Sequence, residues 1–388
     1  MPSVSRDDLR GAVQASARAV LGVVDVVESA HATVARPWRR ERRTRGISRW
    51  VYGAVRAITR GVARLIGVTL AASPGGRVRP SRSRDAAVSI LNGAFGDALE
   101  AEGNPLALAT TLRHRGASVE PEGVADVLED VTDTALVMVH GLCMHDGRWG
   151  DADHDMVAEL AAGLEAAPIG VRYNSGRHVS QNGRDLAGLL DRLAASWPGL
   201  RRIVIVAHSM GGLVARSALE VARTKAQPWL GLEVALVTLG TPHHGAPLER
   251  FGSVVDGLLA SNRFFEPYAR LGKARSAGVT DLRYGSVADD WSDLDRFAHG
   301  PGDRRHVPLP ETVDVYLVAA SPSGTAGRRD RTFGDGLVLL DSALGRHADP
   351  ERTLAVPLDR QWIAPGLNHF DLVRHPSVTA RVLEWLAR

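Results

Sequence analysis

The chain has 388 residues, of which 44 % are hydrophobic and 23 % are charged. This composition predicts a folded protein with a large core, with room for one α/β domain of roughly 250 residues and an appendage. The single cysteine, Cys143, excludes a disulfide within the chain, and no apolar run reaches the roughly 18 residues of a membrane-spanning helix.

Charge is distributed unevenly along the chain. Residues 1–85 contain 17 Arg and 6 acidic residues, so this segment carries a net charge of +11 and the remainder carries −8. We therefore expect any anionic partner to bind the N-terminal segment, and we expect no nucleic-acid partner. Residues 1–10 are polar and are not followed by an apolar run, which predicts a cytoplasmic protein without a secretory signal peptide.

Two helices are predicted before a linker. The first covers Leu9 to Ala35, and the second covers Ile47 to Leu70, with arginines on one face and apolar residues on the other. The four arginines are Arg49, Arg56, Arg60 and Arg64. The second helix would suit the surface of an anionic membrane; the alternative is that it packs on the protein itself. Ser73 to Arg84, rich in Ser, Pro, Gly and Arg, reads as a linker.

After the linker, strands and helices alternate. A helix is predicted over Asp85 to Glu100, followed by a hairpin with arms Leu106 to Arg113 and Ala117 to Glu120. Further strands are predicted at Thr134–His140, Pro168–Tyr173, Ile203–Ala207, Glu233–Leu239, Val313–Ala319 and Leu354–Val356. Further helices are predicted at Asp151–Glu165, Gly183–Ala195, Gly212–Arg223 and Pro376–Ala387. Because parallel strands need crossover connections, this order predicts an α/β protein with a mostly parallel, doubly wound sheet.

The most informative segment runs from Val204 to Gly212. It joins an apolar, β-branched strand to Ser209 and then to a helix that begins with small residues. This is the pattern of a nucleophile elbow, the strand-turn-helix corner that presents a serine hydroxyl above a parallel sheet. Ala207 replaces the first glycine of the usual G-x-S-x-G pattern, and alanine is small enough for that position.

Asp335 is the predicted acid of a catalytic triad. A serine nucleophile needs a base, and an acid to hold that base in its productive tautomer; in α/β-hydrolases the chain order is Ser, acid, His. Glycines on both sides of Asp335 let the loop turn sharply after a strand. Asp330, in an arginine-rich run, and Asp341, in a predicted helix, are the alternatives.

His369 is the predicted base. It lies between the last predicted strand and the last predicted helix, where this fold places the catalytic histidine. Two other histidines follow Asp335 in the chain. His347 precedes that strand, and His375 lies at the start of the helix.

An acyl-transfer enzyme also needs donors for the tetrahedral oxyanion. The predicted donors are the backbone amides of Leu142, just after a strand and Gly141, and of Met210, just after the nucleophile. His140 is expected to shape this loop through a hydrogen bond without transferring a proton. Cys143 is not expected to be a nucleophile, because no second elbow surrounds it.

Several other residues are expected near the site. The predicted substrate-contacting residues are His140, Gly141, His208 and His243. His243 and His244 have no carboxylate or third histidine at ligand spacing, so we expect no metal and no other cofactor. Tyr173 to Gly176 is interpreted as a structural turn. The long insertion after Gly245 has many apolar residues, which form either the core of a cap or an acyl pocket.

Taken together, these motifs resemble the lipase and esterase branch of the α/β-hydrolase superfamily, within it the GPI inositol-deacylase-like and triacylglycerol-lipase-like group. The resemblance covers roughly Leu106 to Arg388. The segments that carry it are Val139–Leu142, Ala207–Gly212, Leu239–Gly245, Gly334–Val338 and Asn368–Phe370. It implies an α/β-hydrolase fold and serine hydrolysis, without naming the substrate.

The sequence thus predicts a basic helical extension with its linker over residues 1–84 and a catalytic domain over 85–388, with a cap insertion at about 246–312. The predicted function is hydrolysis of carboxylic esters, with lipid-like esters favoured, at the triad of Ser209, His369 and Asp335. Two alternatives stay open. One is an acyltransferase or thioesterase that uses the same triad, and the other is an inactive hydrolase fold that binds membranes.

Overall fold

The computed structural model describes residues 7–18, 21, 49, 53, 56–57, 60–61, 82–128, 132–247, 276–289, 305–323 and 334–387. The chain divides into two compact units. The first comprises Met1–Val88, Ala98–Ala107 and Asp256–Ala274, and the second comprises Ser89–Asp97, Leu108–Val255 and Arg275–Arg388.

In the first unit, residues 7–18 are helical, as predicted for the start of the first helix. An ion pair of 2.6 Å joins Asp8 of this helix to Arg84, and Asn104 donates a hydrogen bond to the carbonyl of Gly11. The described residues between 49 and 61 are helical as well. Most of the two predicted N-terminal helices, and nearly all of the linker, lie outside the described residues.

The second unit contains an eight-stranded sheet with the order β2-β1-β4-β3-β5-β6-β7-β8. β1 runs antiparallel to both of its neighbours, β2 and β4, and every neighbouring pair from β4 to β8 in this order is parallel. The strands are β1 Thr111–His114, β2 Ala117–Val119, β3 Thr134–Val139, β4 Ala167–Arg172, β5 Arg202–His208, β6 Glu233–Leu239, β7 Val313–Ser321 and β8 Gln361–Pro365. The predicted doubly wound sheet is therefore confirmed.

Helices cover both faces of this sheet. From residue 82 onward, the described helices are α1 Arg82–Ala101, α2 Val124–Val127, α3 Met156–Gly163, α4 Val179–Ser196, α5 Met210–Thr224, α6 Ala277–Leu282, α7 Leu340–Ala343 and α8 Pro376–Leu386. Single 3₁₀ turns lie at Pro121–Gly123, Pro228–Gly231, Pro350–Arg352, Leu358–Arg360 and Asp371–Val373. None of the helices in the described ranges has the length and hydropathy needed to cross a membrane.

The core consists of two apolar layers, one on each side of the sheet. Leu186 of α4 and Leu213 of α5 belong to one layer, whereas Leu160 of α3 and Trp385 of α8 belong to the other. All six residues of β3 are buried. A strand that is covered on both faces has a nearly continuous run of apolar residues. The central strands could therefore be predicted from the sequence.

The last strand differs from the prediction. Leu354–Val356 is not a strand; the strand is Gln361–Pro365, which pairs in parallel with β7. Leu354 and Val356 are buried in a loop, so their apolar pattern reflects packing, whereas the edge strand β8 is half-buried and mixed in composition. The first hairpin arm is also shorter than predicted, because Leu106 is in a turn capped by Asn104.

Candidate active site

Ser209 occupies the turn between β5 and α5 with φ 53° and ψ −121°. Non-glycine residues rarely adopt this left-handed backbone, and its strain is typical of functional turns. The Ser209 amide donates a 2.8 Å hydrogen bond to the carbonyl of Leu239 in β6, which fixes the turn to the neighbouring strand. A Cβ atom at Gly211 would collide with the carbonyl of Val139. The turn therefore requires a glycine two residues after the serine, at position 211.

Asp335 and His369 form a buried pair. Nδ1 of His369 lies 2.7 Å from Oδ2 of Asp335, while Oδ1 of Asp335 accepts hydrogen bonds from the amides of Leu337 and Val338 at 2.9 and 2.8 Å. The His369 amide also donates to the carbonyl of Asp335 at 3.1 Å. These bonds hold the carboxylate as an acceptor, so that Nδ1 of His369 carries its proton and Nε2 is left as the basic nitrogen.

Ser209 and His369 line one pocket. The remaining lining residues are Leu142, Cys143, Met144, His208, Leu337 and Phe370. The structure thus brings together all three predicted triad residues, two at the pocket wall and Asp335 directly behind His369. The sequence had not assigned Met144, Leu337 or Phe370 to the site, although Leu337 and Phe370 each lie within two residues of a predicted triad member.

One of the two predicted oxyanion donors lines the same pocket, and the other directly follows Ser209 in the chain. Leu142 is a lining residue, and Met210 is the first residue of α5. Among the turn, loop and cap hydrogen bonds of the described residues, none is donated by either of these two backbone amides. The amide of Cys143, next to Leu142, donates instead to Oγ of Ser175 at 3.1 Å.

The four predicted substrate-contacting residues lie at different depths. His208 lines the pocket, whereas His140, Gly141 and His243 are not among its lining residues. His140 is fully buried, hydrogen-bonds the carbonyl of Gly141 and stacks on the ring of Tyr173; burial lowers its pKa to about 4. Its hydrogen bond joins it to the loop at Gly141, and burial keeps the ring neutral.

His243 and His244 use their rings to bind other parts of the protein. Nε2 of His243 lies 3.2 Å from Oγ1 of Thr238, and its Nδ1 lies 3.4 Å from the buried guanidinium of Arg216. His244 donates from Nε2 to the carbonyl of Gly345. Among the residues that the structure describes, no group of three or more His, Cys, Asp or Glu side chains is arranged to hold a metal.

The alternative triad residues that the structure describes, Asp341, His347 and His375, are not among the residues that line the pocket. Asp341 is exposed on α7, and Asp330 lies outside the described residues. His347 accepts a hydrogen bond from the amide of Asp349, and His375 caps the start of α8 through the amide of Ser377.

Cys143 is a poor nucleophile despite its place in the pocket wall. Burial raises the pKa of its thiol to about 12, and only the thiolate attacks readily.

Comparison with known proteins gives a family match over part of the chain. Residues 185–298 match the family described as PGAP1-like alpha/beta domain. No curated protein matches the sequence.

Among solved structures, the mature form of the Bacillus licheniformis lipase BlEst2 is similar, with 20 % identity, a TM-score of 0.44, and coverage of 72 % of this chain and 98 % of that one. An esterase from Pyrococcus furiosus has 16 % identity and a TM-score of 0.37, over 66 % and 82 % of the two chains. A Staphylococcus aureus protein described as a putative esterase has 11 % identity and a TM-score of 0.39, over 67 % and 76 %.

The sheet order places a strained serine turn after β5, an aspartate loop after β7 and a histidine loop after β8. This chain therefore has the α/β-hydrolase fold, and over residues 185–298 it is similar to the PGAP1-like alpha/beta domain family.

Proposed function

We propose that the protein is a serine hydrolase that cleaves carboxylic esters. The observation that carries the proposal is the buried pair of His369 and Asp335, 2.7 Å apart, at a pocket that also holds the strained Ser209 turn. A nucleophile, a base and an orienting acid in this arrangement are the parts that acyl transfer needs.

In the proposed first half-reaction, Oγ of Ser209 attacks the ester carbonyl carbon while Nε2 of His369 takes the hydroxyl proton. Asp335 orients the imidazole and stabilises the imidazolium that forms. The negative charge develops on the former carbonyl oxygen, which the amides of Leu142 and Met210 would stabilise. The alcohol then leaves with the proton from His369, and Ser209 carries the acyl group.

In the second half-reaction, water attacks the acyl-enzyme with His369 as the base. The tetrahedral intermediate collapses, the acid is released, and Ser209 regains its proton. An acyltransferase would use the same steps with an alcohol in place of water, and a thioesterase would begin from a thioester.

The pocket wall supports a substrate with an apolar group. Most of the lining side chains carry no charge and no strong hydrogen-bonding group: Leu142, Cys143, Met144, Leu337 and Phe370. An apolar wall with a few convergent polar groups suits an acyl chain. This favours lipid-like esters over small polar ones.

Labelling with a fluorophosphonate probe tests the proposal, because only an activated serine reacts. We expect the wild type and Cys143→Ser to be labelled and Ser209→Ala to be unlabelled. Labelling of Ser209→Ala, or an unlabelled wild type, would refute the assignment. The second result would favour the inactive, membrane-binding alternative.

A series of p-nitrophenyl esters of increasing chain length tests the substrate class. We expect kcat/KM to rise from acetate to longer acyl chains in the wild type and to be abolished in Ser209→Ala. A preference for acetate would refute the lipid-like assignment while leaving the hydrolase intact. Adding an acceptor alcohol separates the alternatives, since a transferase forms a new ester in preference to the free acid.

A further inference from the structure

Two segments lie side by side at the edge of the pocket. The oxyanion segment, residues 140–143, follows β3 and supplies the Leu142 amide. The clamp loop, residues 173–176, follows the neighbouring strand β4. The sequence predicts only a structural turn for the clamp loop, and the proposed mechanism gives this loop no role.

The clamp loop binds the oxyanion segment on both sides of Leu142. Before Leu142, the hydroxyl of Tyr173 donates a 2.6 Å hydrogen bond to the carbonyl of His140, and the two rings stack with centroids 4.4 Å apart. After Leu142, Oγ of Ser175 accepts a 3.1 Å hydrogen bond from the amide of Cys143. The peptide that presents the Leu142 N–H is thus held at both ends.

The backbone of Cys143 explains why such holding is needed. Cys143 has φ 59°, a left-handed conformation that is strained for a non-glycine residue and persists only when its surroundings impose it. The Ser175 hydroxyl binds the amide of this very residue. Loss of that bond would remove a direct restraint on this strained residue, although the Met144 amide still donates to the carbonyl of Gly141 at 3.2 Å, and a partial relaxation would shift the neighbouring Leu142 amide.

The clamp loop is itself rigidly held. Asn174, fully buried, donates to the carbonyl of Gly96 at 2.9 Å and accepts from the amide of Gly176 at 3.1 Å. Its own carbonyl accepts a 2.9 Å hydrogen bond from Asn182 of α4. A Cβ atom at Gly176 would collide with the carbonyl of Asn92. The loop therefore acts as a fixed support and not as a mobile flap.

We infer that Tyr173 and Ser175 are positioning residues for the oxyanion hole. They touch neither the nucleophile nor the base; they fix the Leu142 amide where charge develops in the transition state. Preorganised donors stabilise a transition state because they need no rearrangement as the charge forms. This inference rests on the proposed hydrolase function and adds two residues to its machinery.

Kinetics of Ser175→Ala and Tyr173→Phe test the inference, with Ser175→Thr as the conservative variant. Removing a direct oxyanion donor typically lowers kcat by about 10²–10³. Since the Leu142 amide remains but is loosened, we expect a smaller loss of about tenfold in kcat, with KM for p-nitrophenyl butyrate within twofold of wild type. Ser175→Thr, which keeps the acceptor hydroxyl, is expected to retain most of the activity.

Ser196→Ala is the matched control, because the Ser196 hydroxyl on α4 donates to the carbonyls of Pro121 and Arg192, outside this network; we expect it to leave kcat unchanged. A boronic acid inhibitor, which imitates the tetrahedral intermediate, is expected to bind Ser175→Ala about tenfold more weakly than wild type. Amide hydrogen exchange supplies a readout apart from activity, and residues 141–144 are expected to exchange faster in Ser175→Ala.

An active wild type in which Ser175→Ala and Tyr173→Phe keep full kcat and full inhibitor affinity would overturn this inference and leave the hydrolase standing. Lower thermal stability with unchanged kcat per folded molecule would show a purely structural role and would overturn it too. An inactive, unlabelled wild type would overturn the proposed function and this inference together.

Discussion

Nε2 of His208 lies 3.0 Å from the carbonyl oxygen of His369, and the two imidazole rings are tilted, with centroids 4.7 Å apart. His208 directly precedes Ser209 at the end of β5, whereas His369 lies in the loop after β8. The Nε2–H group of His208 therefore donates a hydrogen bond to the backbone carbonyl of His369, the proposed base. This bond connects the loop of His369 to the nucleophile turn. Burial holds the pKa of His208 well below its ordinary value, so the ring stays neutral.

We predict that His208→Leu lowers kcat about tenfold by loosening His369, since a lost hydrogen bond to the backbone is worth roughly 1 kcal/mol. His208→Gln keeps an N–H donor and is expected to retain more activity. Steady-state kinetics on p-nitrophenyl butyrate measure both. Equal activity of the two variants would show that the hydrogen bond to His369 does not matter.

Asp335→Asn is expected to lower kcat by about 10³–10⁴, because the amide no longer holds the productive tautomer of His369. Labelling by a fluorophosphonate should be slower but still detectable, because Ser209 and His369 remain. Asp341→Asn is the control, since Asp341 is exposed on α7, and it should retain full activity. Loss of activity in Asp341→Asn, with activity retained in Asp335→Asn, would show that Asp341 is the acid of the triad.

Ser209→Gly is expected to be more stable than Ser209→Ala. Both variants lack the hydroxyl, so their difference reports the backbone at φ 53° and ψ −121°. Glycine adopts this conformation freely, whereas alanine pays a strain of about 1–3 kcal/mol; glycine loses about 0.4–1 kcal/mol through its more flexible unfolded chain. Urea unfolding should show a net advantage for glycine of about 1 kcal/mol. A less stable glycine variant would contradict the strain.

Stability is expected to fall in acid, in part through His140. Burial lowers the folded-state pKa of His140 from 6.5 to about 4. Between these two pH values, His140 is therefore mostly protonated in the unfolded chain and mostly neutral in the folded chain. The stability that depends on neutral His140 is complete above pH 6.5 and is lost as the pH falls towards 4.

His140→Phe keeps a ring to stack on Tyr173 but cannot titrate. The wild type should therefore lose about 3 kcal/mol more than this variant between pH 7 and 4, as measured by urea unfolding at each pH. Parallel pH profiles for the two proteins would refute the role of His140.

We propose that the basic N-terminal segment binds anionic membranes; the alternative is that its second predicted helix packs on the protein itself. Arg49, Arg56, Arg60 and Arg64 would contribute roughly 1 kcal/mol each near the surface of such a membrane. Replacing all four by Gln leaves the opposite apolar face intact, and it should abolish co-sedimentation with phosphatidylserine vesicles at low salt without changing the hydrolysis of p-nitrophenyl acetate. Failure of the full chain to bind these vesicles would end the membrane hypothesis, and phosphatidylcholine vesicles serve as the neutral control.

The sequence alone was sufficient to predict the parallel sheet, apart from the place of its last strand, and the chain order of the proposed triad residues. Central strands such as β3 and β5 are buried on both faces, so their apolar runs are visible without any partner. Ser209, Asp335 and His369 each follow a different strand, and parallel strands bring their carboxyl ends to one edge. The strand pattern is local, and the edge at which parallel strands end follows from the fold class. Residues that follow such strands can therefore be predicted to lie near one another.

Only the tertiary structure decided which side chains face the pocket. His140 and His208 each end a central strand run in the sequence, yet one turns into the core and stacks on Tyr173 while the other lines the pocket and binds the backbone of His369. The same holds for Ser175, whose contact with Cys143 joins residues 32 positions apart. Side-chain direction at the end of a strand depends on turn dihedrals and on packing partners distant in the chain, and neither leaves a periodic signal in the sequence.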